Sequence, residues 1–275
     1  MKWTPGGRSR NLEDRRSMGG IGKGLGIGGT VVVLALSLIT GRNLFDDLGV
    51  QPGVQGDAPM TAADSAREEP QVQFVSYILD DTQNTWSQIL QRNNSSYRPA
   101  RLVLFRNSTQ SGCGVGQSAM GPFYCPLDEK VYIDLGFYDE LQKRFGASGD
   151  FAQAYVLAHE IGHHVQHIVG TDTEVRSMQQ RNPSVANQLS VRMELQADCY
   201  AGVWAHTTQA RGKLEPGDVE EALTAAASVG HDRIQQQSGR RVDVDGFTHG
   251  SAAQRSEWFR RGFTSGDPLA CDTFR

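Results

Sequence analysis

Residues 155–166 read Tyr-Val-Leu-Ala-His-Glu-Ile-Gly-His-His-Val-Gln, and the rest of the chain is organised around them. Phe151, Ala154, Tyr155, Ala158, Ile161 and Val165 recur at helical spacing, so the segment predicts a packed helix. Asp150, after Gly149, is placed to cap its start, and Gly170 to stop it. Residues four apart on a helix share a face, so His159 and His163 point the same way. Two imidazoles at that spacing can hold one Zn²⁺, at roughly 2.0–2.1 Å from each ring nitrogen. Glu160 can reach a water at such an ion without ligating it.

This His-Glu-x-x-His pattern is the arrangement of zinc metallopeptidases. A hydrolytic zinc needs three protein ligands and one open position. His164 turns off the face, and His167 lies a further turn along. The longer metzincin pattern would need Gly at 166 and His at 169, where the chain has Gln166 and Val169. Downstream, residues 189–204 predict a second helix containing Glu-Leu-Gln-Ala-Asp (194–198). Glu194 and Asp198 share a face of it. Glu194 is the candidate third ligand, with Glu174 as its rival. Asp198 is placed to accept the free ring N–H of a liganding histidine, His159 first, which fixes the tautomer and raises ligand basicity.

With 275 residues the chain can hold one large domain or two small ones, and a net charge of −4 gives no reason to expect nucleic acid as a partner. Lys2, Arg8, Arg10, Arg15, Arg16 and Lys23 make the start basic, whereas residues 46–69 are acidic. Between them, residues 24–40 carry no charge. Extended to 21–41, with Lys23 snorkelling, the run approaches bilayer-spanning length. No small-residue cleavage site follows, which favours an uncleaved anchor over a signal peptide. The expected organisation is a basic cytoplasmic N-terminus (1–20), a transmembrane helix (21–41), a disordered linker (42–70) rich in Pro, Gly and acids, and a zinc metallopeptidase domain (71–275) outside the membrane. Residues 24–29 formally match a dinucleotide fingerprint, but no strand precedes them.

Within the outer domain the pattern predicts a helix over 72–90, strands over 101–106 and 130–135, a short helix over 137–145, and helices over 218–237 and 251–263. Asp218 with Glu221 suggests a capping box, and Ser251 a cap. A Pro-Leu-Asp-Glu turn joins residues 123–125 to the second strand. Four cysteines suit an oxidising compartment. Cys113 with Cys125 could close a loop, worth roughly 3 kcal/mol in the loop-entropy model, leaving Cys199 with Cys271. Three pairings are open in principle.

The segments at 155–166, 194–205 (Glu-Leu-Gln-Ala-Asp-Cys-Tyr-Ala-Gly-Val-Trp-Ala) and 247–251 (Phe-Thr-His-Gly-Ser) resemble the YpfJ-type neutral zinc metallopeptidases. So do the basic start, the apolar run, Gly-Pro-Phe-Tyr-Cys-Pro (121–126) and the Cys-Asp-Thr-Phe ending (271–274). The resemblance covers nearly the whole chain. It implies a membrane-anchored, zincin-like domain with Glu194 as third ligand. His231 departs from the pattern, which would put an acidic residue there. His249, in a loop before the last helix, could donate a hydrogen bond to the oxyanion of a tetrahedral intermediate, with Tyr200 a second candidate.

The expectation is therefore an α+β, zincin-like domain with a small sheet and mostly helices, preceded by one membrane helix. His159, His163 and Glu194 hold Zn²⁺, and Glu160 is the general base for hydrolysis of peptide or protein substrates. A substrate could add as a strand beside residues 130–135 or 123–125. The competing reading is a catalytically silent zinc-binding module in membrane or envelope protein assembly. Hydrolysis of a non-peptide amide would share the same zinc chemistry.

Overall fold

A computed structural model describes residues 1–17, 60–237, 242–243 and 246–275. The sheet is β1 (Leu12–Asp14), β2 (Arg101–Phe105), β6 (Lys130–Asp134) and β5 (Phe123–Cys125), in the spatial order β1-β2-β6-β5. β1, β2 and β6 run parallel, and β5 runs antiparallel to β6 at the edge. Leu102, Val103, Leu104, Phe105, Val131, Tyr132 and Ile133 are all buried, as expected of strands covered on both faces. A separate hairpin pairs β3 (Ser108–Ser111) with β4 (Gly114–Gln117). Its polar, glycine-rich strands read in sequence as loop. Gly116 is needed there because a Cβ would meet the Phe123 ring at 2.5 Å.

The helices are α1 (Ala62–Arg92), α2 (Gly136–Phe145), α3 (Asp150–Val169), α4 (Thr171–Arg181), α5 (Ala186–Ala210), α6 (Asp218–Ser228), α7 (His231–Gln237) and α8 (Ala252–Ser265). The architecture is a mostly helical α+β domain with a small sheet. The expected helix over 218–237 is two helices, broken at Val229 and Gly230, where a Cβ on Gly230 would lie 2.4 Å from the Ala252 nitrogen. The capping box expected at Asp218 does not form. Gly217 is the cap, Asp218 accepts from the Glu215 N–H, and Glu221 instead accepts from the Phe151 N–H at the start of α3. At α8 the Ser251 box forms, with Gln254 as its partner.

α1 starts well before residue 72 and runs through Pro70. A capping box of Thr61 and Asp64 begins it. Ion pairs Arg16–Glu68 and Arg8–Glu69 then hold its acidic first turns down. Residues 62–70 are thus helix, although their composition suits a linker.

The N-terminus also differs from expectation. β1 pairs with β2 through Leu12–Leu102, Glu13–Val103 and Asp14–Leu104. Trp3 packs edge-on to Phe74, and the Met1 amino group lies 2.7 Å from Asp150 and 3.2 Å from Asp218. Residues 1–17 therefore pair and pack with the other described residues. The segment 21–41 itself, and the linker up to residue 59, lie outside the described residues. Among the described residues no helix is long and apolar enough to cross a membrane.

α3 runs through the centre of the core, against α5, α6 and α1. Two glycines let α5 and α8 touch backbone to backbone: a Cβ on Gly202 would lie 2.1 Å from the Phe259 carbonyl, and one on Gly262 1.9 Å from that of Cys199. Disulfides join Cys113 to Cys125 and Cys199 to Cys271. The second ties the C-terminal tail to α5, one residue beyond Asp198.

Candidate metal centre

α3 and α5 cross at Gly162, where a Cβ would sit 3.0 Å from the Ala197 carbonyl oxygen. That approach, between the two histidines in sequence, lets a carboxylate from α5 reach them. Glu194 places one oxygen 3.3 Å from His159 Nε2 and the other 3.5 Å from His163 Nε2. The three donor atoms lie within 4.8 Å of one another, a separation one ion can bridge.

The other ring nitrogens are committed elsewhere. His159 Nδ1 lies 2.8 Å from Asp198 Oδ1, and His163 Nδ1 2.8 Å from Gln166 Oε1. Both partners accept, so each Nδ1 carries a proton and each Nε2 is the nitrogen turned toward Glu194, the one a metal would take once deprotonated. Gln166 is itself fixed, its amide donating to the Met193 carbonyl and to Gln196 Oε1. Two imidazoles and a carboxylate, tautomers set and facing a cleft, are a donor set that fits Zn²⁺ with a position left open.

Asp198 is fully buried yet ionised. Burial works against its charge, but the Arg255 guanidinium and His159 hold its pKa below the ordinary range. Arg255 meets it as a fork, Nε to Oδ2 at 2.8 Å and Nη2 to Oδ1 at 2.9 Å. The Tyr155 hydroxyl donates to Oδ1 as well. Arg255 Nη2 also lies 3.9 Å from Glu194. Burial opposes the charge on Glu194 too, but His163 and His159 hold its carboxyl well below the usual range. In the metal-free centre, burial disfavours the charge on His159, and Asp198 and Glu194 outweigh it, raising the ring to about 10. Glu160 is buried, and that burial pushes its carboxyl up despite the two histidines.

The centre opens into a cleft of about 770 Å³. Glu160, Arg255 and His249 line it, with Phe123 and Tyr124 of the edge strand β5 along one side and Val175 and Arg176 of α4 among its other walls. His249 is exposed, its Nδ1 3.0 Å from the Thr248 hydroxyl. Tyr200 is not in the cleft: it is buried, edge-on to Trp86 at 4.9 Å. Glu174 is exposed on α4 and apart from the centre. Sequence reasoning missed Gln166, Tyr155 and Arg255. Gln166 could have been found by asking what satisfies the second nitrogen of His163 one turn along α3. Arg255 has no such local signal.

His159, His163 and Glu194 thus form a helix-borne His₂Glu set that could hold a metal ion, with a buried carboxylate beside it and a cleft in front. Residues 1–274 match the family described as "Putative neutral zinc metallopeptidase", and the chain belongs to it. Zinc is the cofactor this membership indicates. The chain is 49% identical over 283 aligned positions to "Uncharacterized protein YpfJ" of Escherichia coli K12, covering 100% of this chain and 99% of that one. It is 42% identical over 236 positions to "Uncharacterized protein Rv2575" of Mycobacterium tuberculosis H37Rv, covering 82% of this chain and 77% of that one. No solved structure matches.

Proposed function

We propose that this protein is a zinc peptidase of zincin-like architecture that cleaves extended peptide segments, with His159, His163 and Glu194 holding the metal and Glu160 as general base. A zinc ion there would supply Lewis-acid polarisation of a carbonyl and acidify a water. Glu160 takes the proton of the water that attacks the scissile carbonyl and returns it to the leaving amine. Its raised carboxyl suits both transfers. His249, at the cleft wall, is the candidate hydrogen-bond donor to the developing oxyanion.

The observation that carries this reading is the edge of β5, free among the described residues, beside the three-donor set. An extended peptide can add to that edge and present its carbonyls to the metal. β6 cannot serve, because it is paired on both sides, by β2 and β5. We place the domain in an oxidising compartment on the strength of its two disulfides. The test uses the full chain, since β1 belongs to the fold. Zinc content and fragment release from casein are measured for the wild type and Glu160→Gln. One zinc in each with cleavage only by the wild type supports the peptidase. Zinc in both with cleavage by neither favours the silent binding module.

A further inference from the structure

The metal set leaves two histidines of α3 unused, His164 and His167, and both face the hairpin that carries β5. His164 is fully buried, and its Nε2 lies 2.6 Å from the Arg98 carbonyl oxygen. A carbonyl only accepts, so Nε2 carries the proton and Nδ1 is the acceptor. The Tyr124 hydroxyl, 2.9 Å away, donates to Nδ1. Tyr97 packs edge-on to the same ring at 5.5 Å. One turn on, His167 sits between Asp172, 2.8 Å from its Nδ1, and Glu129, 3.4 Å from its Nε2. Glu129 lies in the turn after β5, at a φ of +54° that a non-glycine residue rarely adopts. Its carboxylate pairs with Arg98 at 2.9 Å. The β5 end of the hairpin is further held by Cys125, joined to Cys113.

We propose that Tyr124 and His164 are positioning residues for the substrate: they fix the free edge of β5 at a set distance from the metal helix, so that a peptide added to β5 places a carbonyl beside Glu160. This rests on the peptidase reading above. A strand of three residues, with one side unpaired among the described residues, is not rigid by itself. The Tyr124–His164–Arg98 chain supplies the rigidity from the same helix that carries the metal ligands. Neither residue touches the three donor atoms, so the metal and the rim can be separated by experiment.

The variant is Tyr124→Phe in the zinc-loaded full chain, which removes one oxygen and keeps the ring. Two probes are titrated: acetohydroxamate, which reads the metal alone, and the hydroxamate of an apolar tripeptide, which also needs the rim. Loss of one buried hydrogen bond predicts tripeptide binding weakened about three- to tenfold, with acetohydroxamate binding unchanged. Amide exchange across residues 123–125 quickens. His164→Asn, whose Oδ1 stands where Nδ1 stood, keeps more tripeptide affinity than His164→Leu. Unchanged tripeptide binding in Tyr124→Phe overturns the proposal, as does equal weakening of both probes, which would mean that the chain serves the metal. A wild type that takes up zinc but binds neither probe overturns the peptidase reading itself, and this inference with it.

Discussion

Replacing Arg255 with Met tests the electrostatic core of the site. Arg255 is 3% exposed and donates twice to Asp198, which is wholly buried. Removing the guanidinium leaves that carboxylate with the Tyr155 hydroxyl and the His159 ring as its remaining side-chain partners. Breaking a buried ion pair from one side costs about 3–5 kcal/mol. At ~2–4 °C per kcal/mol for a domain of this size, the melting midpoint of the metal-free protein falls by about 10 °C. Asp198 would also lose the charge that keeps it ionised and oriented toward His159, so zinc affinity falls roughly 10- to 100-fold. Calorimetry of the metal-free chain reads the first effect, and competition against a chelator reads the second. Replacing both Arg255 and Asp198 by Leu should cost less than the two single changes summed, since neither charge is then stranded. A midpoint shift under about 3 °C with unchanged zinc affinity would refute the reasoning.

Gly162→Ala forces a methyl to within 3.0 Å of the Ala197 carbonyl, so α3 and α5 must separate; we expect a loss of about 1–3 kcal/mol in denaturant unfolding, with weaker zinc uptake. A metal takes only neutral imidazole, and metal-free His159 keeps its proton to about 10, so zinc binding at pH 7 releases a proton that calorimetry in buffers of different ionisation enthalpy detects. In the metal-free protein the same raised value contributes stability in full below about 6.5, and that contribution is lost as the pH rises toward about 10; zinc-loaded protein lacks this slope. Asp81 behaves in the opposite sense: burial disfavours its charge, but Arg211 and Trp204 hold it below its ordinary 3.8, so its contribution is present above 3.8 and lost as the pH falls below it. Asp81→Asn should flatten the acid limb of the stability curve, and an unchanged limb would count against the pairing.

The convergence of His159, His163, Glu194 and Asp198 was legible because its parts are local. His159 with His163, and Glu194 with Asp198, are each one helical turn apart, and a helix converts that spacing into a shared face. The buried strands β2 and β6 announced themselves by runs of apolar residues. What escaped depends on distant partners. β1 is only Leu-Glu-Asp, and becomes a strand because Leu102–Leu104 offers a parallel edge some ninety positions later. The early turns of α1 are acidic and linker-like until Arg8 and Arg16 fold over them. Arg255 reaches Asp198 across 57 positions, and nothing near it in sequence marks it for that contact. The contacts of the basic start escaped for the same reason: Arg8 and Arg16 are spoken for by carboxylates more than fifty positions away.

The pairing of β1 also constrains the order in which the protein can be made. Synthesis delivers residues 1–17 first, yet their partners are Leu102 and Leu104, then Asp150, and last Lys213 and Asp218. The first strand must wait, unpaired, until β2 has been made some ninety positions later. Contacts of such long sequence separation make folding slow. A nascent chain stalled before α6 would therefore already contain the complete His-Glu-x-x-His stretch, yet lack Asp218, the last partner of residues 1–17.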